Sequence, residues 1–146
     1  MKNKLLAMSA PVEIAASTPE AIGPRKFTVT AYTGGALDIA GWDMPVVVDL
    51  GGMKSGNSIV ANLDHVSSKR VGHVTDKVND GKTLQLSGIV SAATASASEV
   101  VDSADKGFTW QASIEAYPRK IKEIAEGKTV TANGQTFEGP LYVVTA

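Results

Sequence analysis

The chain carries two histidines, His65 and His73, and no cysteine. Covalent chemistry would therefore have to run through serine, threonine, histidine or carboxylates, since thiolate nucleophiles, thiolate zinc sites, iron–sulfur clusters and disulfides are all removed together. The stretch "GFTWQASIEAYP" (107–118) sets Ser113 between Gln111 and Glu115 on one side of an alternation. Its other side is Trp110, Ala112, Ile114 and Ala116. A serine hydroxyl is a weak nucleophile at neutral pH, so it needs an imidazole to take its proton and a further group to hold that imidazole in the right tautomer. His65, at the end of "NLDH", and His73, within "VGHVT", are the available bases. Residue types alone also fit a plainer account, a polar strand serine and a histidine at a loop end.

Other chemistries find less support. There is no G-x-S-x-G elbow and no S-x-x-K around Ser113. Asp64, His65 and His73 could meet at a zinc ion if their strands are neighbours, but no H-E-x-x-H or paired ligand spacing accompanies them. The segment "GGMKSGNS" (51–58) lacks the G-K-[ST] ending of a phosphate loop and reads as a mobile connection. A net charge of −1 and a pI near 6.1 give no footprint for nucleic acid or an anionic membrane surface. The apolar patch behind Lys2 and Lys4 is too short for a signal peptide and runs into charges and prolines. No window approaches the roughly 18 apolar residues of a membrane span. The expectation is a soluble, intracellular protein.

The elements that must position these groups are mostly strands. At 146 residues, 43% of them hydrophobic, the chain suits one domain. Residues 1–24 are rich in Ala, Ser, Thr and Pro and read as a flexible arm, with the domain proper over 25–146. "RKFTVTAYT" alternates Phe27, Val29 and Ala31 against Lys26, Thr28 and Thr30, as a half-buried strand does. "MPVVVDL" reads as a strand buried on both faces, and "SIVANLDH" (58–65) as a strand ending at His65. Asp80-Gly81 and Asn133-Gly134 mark hairpin turns. Between them Ala97, Val100, Val101 and Ala104 switch to helical spacing, predicting one helix over about 95–106, capped by Thr94 or Ser96 and closed by Gly107. "PRKIKEIAEGK" reads as a short amphipathic segment and "GPLYVVTA" as a last apolar strand. Seven or so strands with one helix predict a mainly β (α+β) fold, a mostly antiparallel barrel or sandwich.

Taken in order, "GWDMPVVVDLGGM", "ANLDHVSSKRVGHV", "LQLSGIVSAATASASEVVDSADKGFTWQASIEA" and "TANGQTFEGPLYVVTA" resemble the bacteriophage prohead (head-maturation) serine proteases over roughly residues 26–146. The resemblance implies a herpesvirus-protease-like β barrel with flanking helices. It also implies His65 as general base, Ser113 as nucleophile, no metal or organic cofactor, and scaffold and major capsid proteins as substrates inside an assembling prohead in the host cytoplasm. By the same analogy a homo-oligomer is expected, and neither nucleic acid nor membrane is a partner.

The third catalytic group is the point of departure. In related phage proteases the segment after "GPLYVV" continues into a strand resembling L-x-E-[IV]-S-[FV]-V, whose acid is a candidate for that position, whereas this sequence stops at Ala146. The expectation is a protease domain truncated at its C-terminal end, whether as an excised piece, by self-cleavage after "VVTA", or as part of a larger fusion. Within the chain, Glu138 lies in a hairpin and Glu115 shares a strand face with Ser113, so neither reads as a replacement. Glu115 is left to tune the site, and His73 is the other candidate third member.

Overall fold

Three consecutive valines can be a strand only if both faces are covered, because successive side chains point to opposite sides. The computed structural model, which describes residues 5–16, 23–55 and 59–146, shows how that cover is built. In chain order it contains β1 (Leu6–Ile14), β2 (Lys26–Tyr32), β3 (Val46–Val48), β4 (Val60–Asn62), β5 (Arg70–Asn79) and β6 (Leu84–Ile89). Helix α1 (Ala95–Asp105) follows, and then β7 (Gln111–Ala116), β8 (Lys120–Ile124), β9 (Thr129–Ala132), β10 (Gln135–Glu138) and β11 (Leu141–Thr145). With 49% of the described residues in strands and one α-helix among them, the fold is mainly β.

The strands form three layers. A six-stranded sheet in the order β4-β5-β6-β2-β1-β7, antiparallel throughout, curls into a half-barrel. Behind it lies the sheet β3-β11-β8, in which β3 and β11 run parallel, and beyond that the hairpin β9-β10. Val46 and Val48 of β3 join Leu6, Met8, Val29, Leu84, Leu86, Tyr142 and Val144 in the main core. Val47 faces the other way, against Ile124, Ala132 and Leu141. The valine run is thus the middle of the sandwich, and all three residues are fully buried.

Both predicted hairpins form. Asp80 accepts from the backbone N–H groups of Lys82 (2.8 Å) and Thr83 (2.7 Å), which holds its carboxyl below the ordinary range, and Gly81 takes φ 82°. Asn133 (φ 54°) and Gly134 (φ 72°) make the left-handed pair that a two-residue turn requires. Helix α1 begins where Thr94 Oγ1 accepts from the Ala97 N–H at 3.1 Å. It ends at Gly107 (φ 91°), with the Phe108 N–H returning to the Ser103 carbonyl. A bidentate pair from Arg25 to Asp105 (2.7 and 3.1 Å) ties the end of α1 to the start of β2 and lowers the Asp105 pKa.

Three expectations change. Residues 6–14 of the expected arm are β1, an interior strand with Leu6, Met8 and Ala10 buried; 1–4 and 17–22 lie outside the described residues. The alternation in "LAMSAPVEI" explains it, and Pro11 is accommodated because β1 changes partners there. Leu6–Pro11 pairs with β7 and Val12–Ile14 with β2. The Val12 N–H donates to Trp110 on the β7 side, so the N–H that Pro11 lacks would fall on the β2 side, where pairing begins only at Val12. "PRKIKEIAEGK" supplies β8, with Ile124 buried, in place of a separate amphipathic segment. The connection 51–58 starts with a 3-10 turn at Leu50–Gly52, and its residues 56–58 lie outside the described set.

Candidate active site

Strand β7 carries the predicted alternation: Ala112, Ile114 and Ala116 pack toward the main core, while Gln111, Ser113 and Glu115 are exposed on the opposite face. Its neighbour is β1, with Ser9 directly across from Ser113 and Ala7 across from Glu115. Cross-strand Cβ atoms stand about 5 Å apart, so Ser9 adds a second hydroxyl beside Ser113. The base of β7 is fixed through Trp110, whose Nε1 donates to the Val100 carbonyl of α1 at 2.9 Å and whose ring meets Phe108 edge to face at 4.7 Å.

His65 arrives from the other edge of the six-stranded sheet. The expected strand through residue 65 stops at Asn62, and Leu63–His65 form a 3-10 turn. Asp64 (φ 54°) and His65 (φ 56°) both occupy the left-handed region. For residues with a Cβ this conformation costs roughly 1–2 kcal/mol each. The turn is held by the Leu63 N–H to Lys69 (2.9 Å) and the Val66 N–H to Leu63 (3.1 Å). Strain of this kind persists where surrounding structure imposes it and concentrates at functional sites.

The consequence of the turn is a contact across the open seam of the half-barrel. His65 Nδ1 lies 3.5 Å from Glu115 Oε1, with the two side chains half exposed. Ser113 stands two residues from Glu115 on the same face, about 6.6 Å along the strand. His65, Ser113 and Glu115 all line one cavity of about 920 Å³ that opens between β4 and β7 and is otherwise largely apolar. No hydrogen bond joins Ser113 to His65. Catalytic hydrogen bonds are often long or misaligned without substrate, and the ring is in contact with Glu115, which shares the exposed face of β7 with Ser113.

His73 is placed elsewhere. It sits on β5 opposite Val60 and Ile89, and its Nδ1 is hydrogen-bonded to Ser91 Oγ at 2.7 Å. It does not line the cavity that holds Ser113. Glu138, at the end of β10, pairs with Thr129. Among the described residues no three His, Asp or Glu side chains gather as metal ligands, and no helix is long and apolar enough to cross a membrane.

No family model, curated protein or solved structure matches this chain. The site therefore rests on its own geometry. One neighbour and one contact of the site were not found by reading the sequence. Ser9 was missed because its strand was taken for an arm, although the strict alternation from Leu6 to Ile14 was the available signal. The Glu115–His65 contact had no local signal, since it joins residues 50 positions apart across a seam set by the curl of the sheet.

Proposed function

We propose that the protein is a serine endopeptidase of the kind that matures phage proheads, with Ser113 as nucleophile and His65 as general base. The observation that carries this reading is the strained Leu63–His65 turn, which brings an imidazole from one edge of the sheet to the exposed face of β7 bearing Ser113. Ser113 Oγ attacks the scissile carbonyl as its proton passes to His65 Nε2. The imidazolium then protonates the departing amine, leaving an acyl ester on Ser113. Water attacks that ester, giving its proton to His65, which passes it to the departing Ser113 Oγ as the C–O bond breaks and the new carboxyl group is released. The herpesvirus-protease-like form of the barrel, the scaffold and capsid substrates, self-cleavage, the homo-oligomer and the prohead location belong to this same reading and rest on the motif resemblance.

A fluorophosphonate probe on the purified chain tests it. The expected result is labelling at Ser113 that Ser113→Ala abolishes, His65→Ala weakens by about 10²-fold or more, and Ser91→Ala leaves unchanged. Labelling at Ser91, or none at all together with uncut scaffold and capsid chains, sinks the protease. A second reading, an inactive assembly module of the same fold, is favoured by the missing Ser113–His65 hydrogen bond, and an unlabelled but folded protein is its expected outcome.

A further inference from the structure

We infer that Glu115, and not His73, is the residue that positions His65, an assignment that rests on the protease reading for its catalytic meaning but not for its geometry. Three groups compete for the role. His73 is engaged with Ser91 and stands outside the cavity. Asp64 precedes His65 in sequence, but the two form no ion pair among the described residues. Among the described residues Glu115 alone has a carboxylate oxygen within ion-pair distance of the ring, 3.5 Å from Nδ1.

The identity of the nitrogen decides what the contact does. A carboxylate at Nδ1 keeps the proton of the neutral ring on that atom and leaves the Nε2 lone pair free to accept a proton from a hydroxyl. Because Glu115 and Ser113 project from the same face of one strand, a ring held by Glu115 is held on the face of β7 that carries the nucleophile. Reading the sequence left Glu115 to tune the site, because it shares that face with Ser113. The left-handed turn reverses the judgement, since it swings His65 over β7 from the far edge and lets the ring reach along the strand.

At 3.5 Å the contact is longer than a direct hydrogen bond, and at a half-exposed site it adds little stability. Its role is orientation. Glu115→Ala is accordingly expected to fold as the parent does.

The test uses the 15N-labelled full chain, with the two histidines assigned through His73→Asn. Long-range proton–nitrogen correlation spectra, taken where the ring is neutral, report its tautomer. The expected result is His65 protonated on Nδ1 in the parent and shifting to the Nε2-protonated form in Glu115→Ala, with the backbone spectrum otherwise preserved. Fluorophosphonate labelling of Ser113 should fall about 10²-fold in the same variant, with the concentration giving half-maximal rate unchanged. A parent ring protonated on Nε2, or a tautomer indifferent to Glu115→Ala, overturns the assignment. If nothing labels in any variant the protease fails, while the tautomer still decides whether Glu115 holds the ring.

Discussion

Asn133 shows how much one side chain can fix. It is the only polar residue buried among the described ones, 8% exposed at the tip of the β9-β10 hairpin. Its side chain accepts from the Leu50 N–H at 2.9 Å and donates to the carbonyls of Gly34 (3.1 Å) and Val48 (2.8 Å). The hairpin is thereby clamped to the end of β3 and to the loop after β2. Asn133→Ala leaves a buried donor and two acceptors unpaired and forces alanine to φ 54°, so a loss of about 3 kcal/mol is expected from urea unfolding. Asn133→Gly removes the backbone conflict while keeping the lost hydrogen bonds, and should still lose most of that amount. If glycine restored stability, the turn conformation rather than the clamp would be what matters. The dipeptide Asn133-Gly134 announced the turn in the sequence. The clamp was illegible because its partners lie 83 to 99 residues away.

The elements divide along the same line. Period-two alternation identified β2, β7 and the hairpin strands, and helical spacing with Thr94 and Gly107 placed α1, because these signals are local. The turn at Leu63–His65 left no such mark, since left-handed backbone without glycine is imposed by surroundings that sequence reading does not reach. That imposition can be relaxed. In Asp64→Gly, relief of roughly 1–2 kcal/mol of strain is offset by roughly 0.5–1 kcal/mol of added unfolded-state freedom. Stability should therefore rise by no more than about 1.5 kcal/mol, while the turn loses its rigidity and labelling of Ser113 slows roughly tenfold through misplacement of His65. Thermal unfolding and labelling rates measured on one preparation separate the two effects. A labelling rate equal to that of the parent would mean that the strain does not serve the site.

At the scale of the molecule, the half-barrel is packed unevenly, and its stability should be uneven with it. Leu50, 1% exposed, sits in the main core between the curled sheet and the layer of β3 and β11. Leu86, 6% exposed, belongs to the same core but also forms part of the wall of the 920 Å³ cavity. Leu50→Ala must open a new void in close-packed surroundings, whereas Leu86→Ala enlarges a space that already exists and is open to water. Both lose the transfer free energy of the deleted carbons, but only the first adds the full cavity term, so losses of about 4 and about 2 kcal/mol are expected. Alternation alone marks Leu84 and Leu86 as inward, and only the curl of the six strands, with β4 and β7 facing one another across a seam, sets both of them on the cavity wall. Against a total stability of about 5–15 kcal/mol, Leu50→Ala should leave a marginal fold and Leu86→Ala a sound one. Urea unfolding of the two variants checks the ordering. Equal losses would mean that the seam is closed in solution and that Leu86 lies in an interior as tight as that around Leu50.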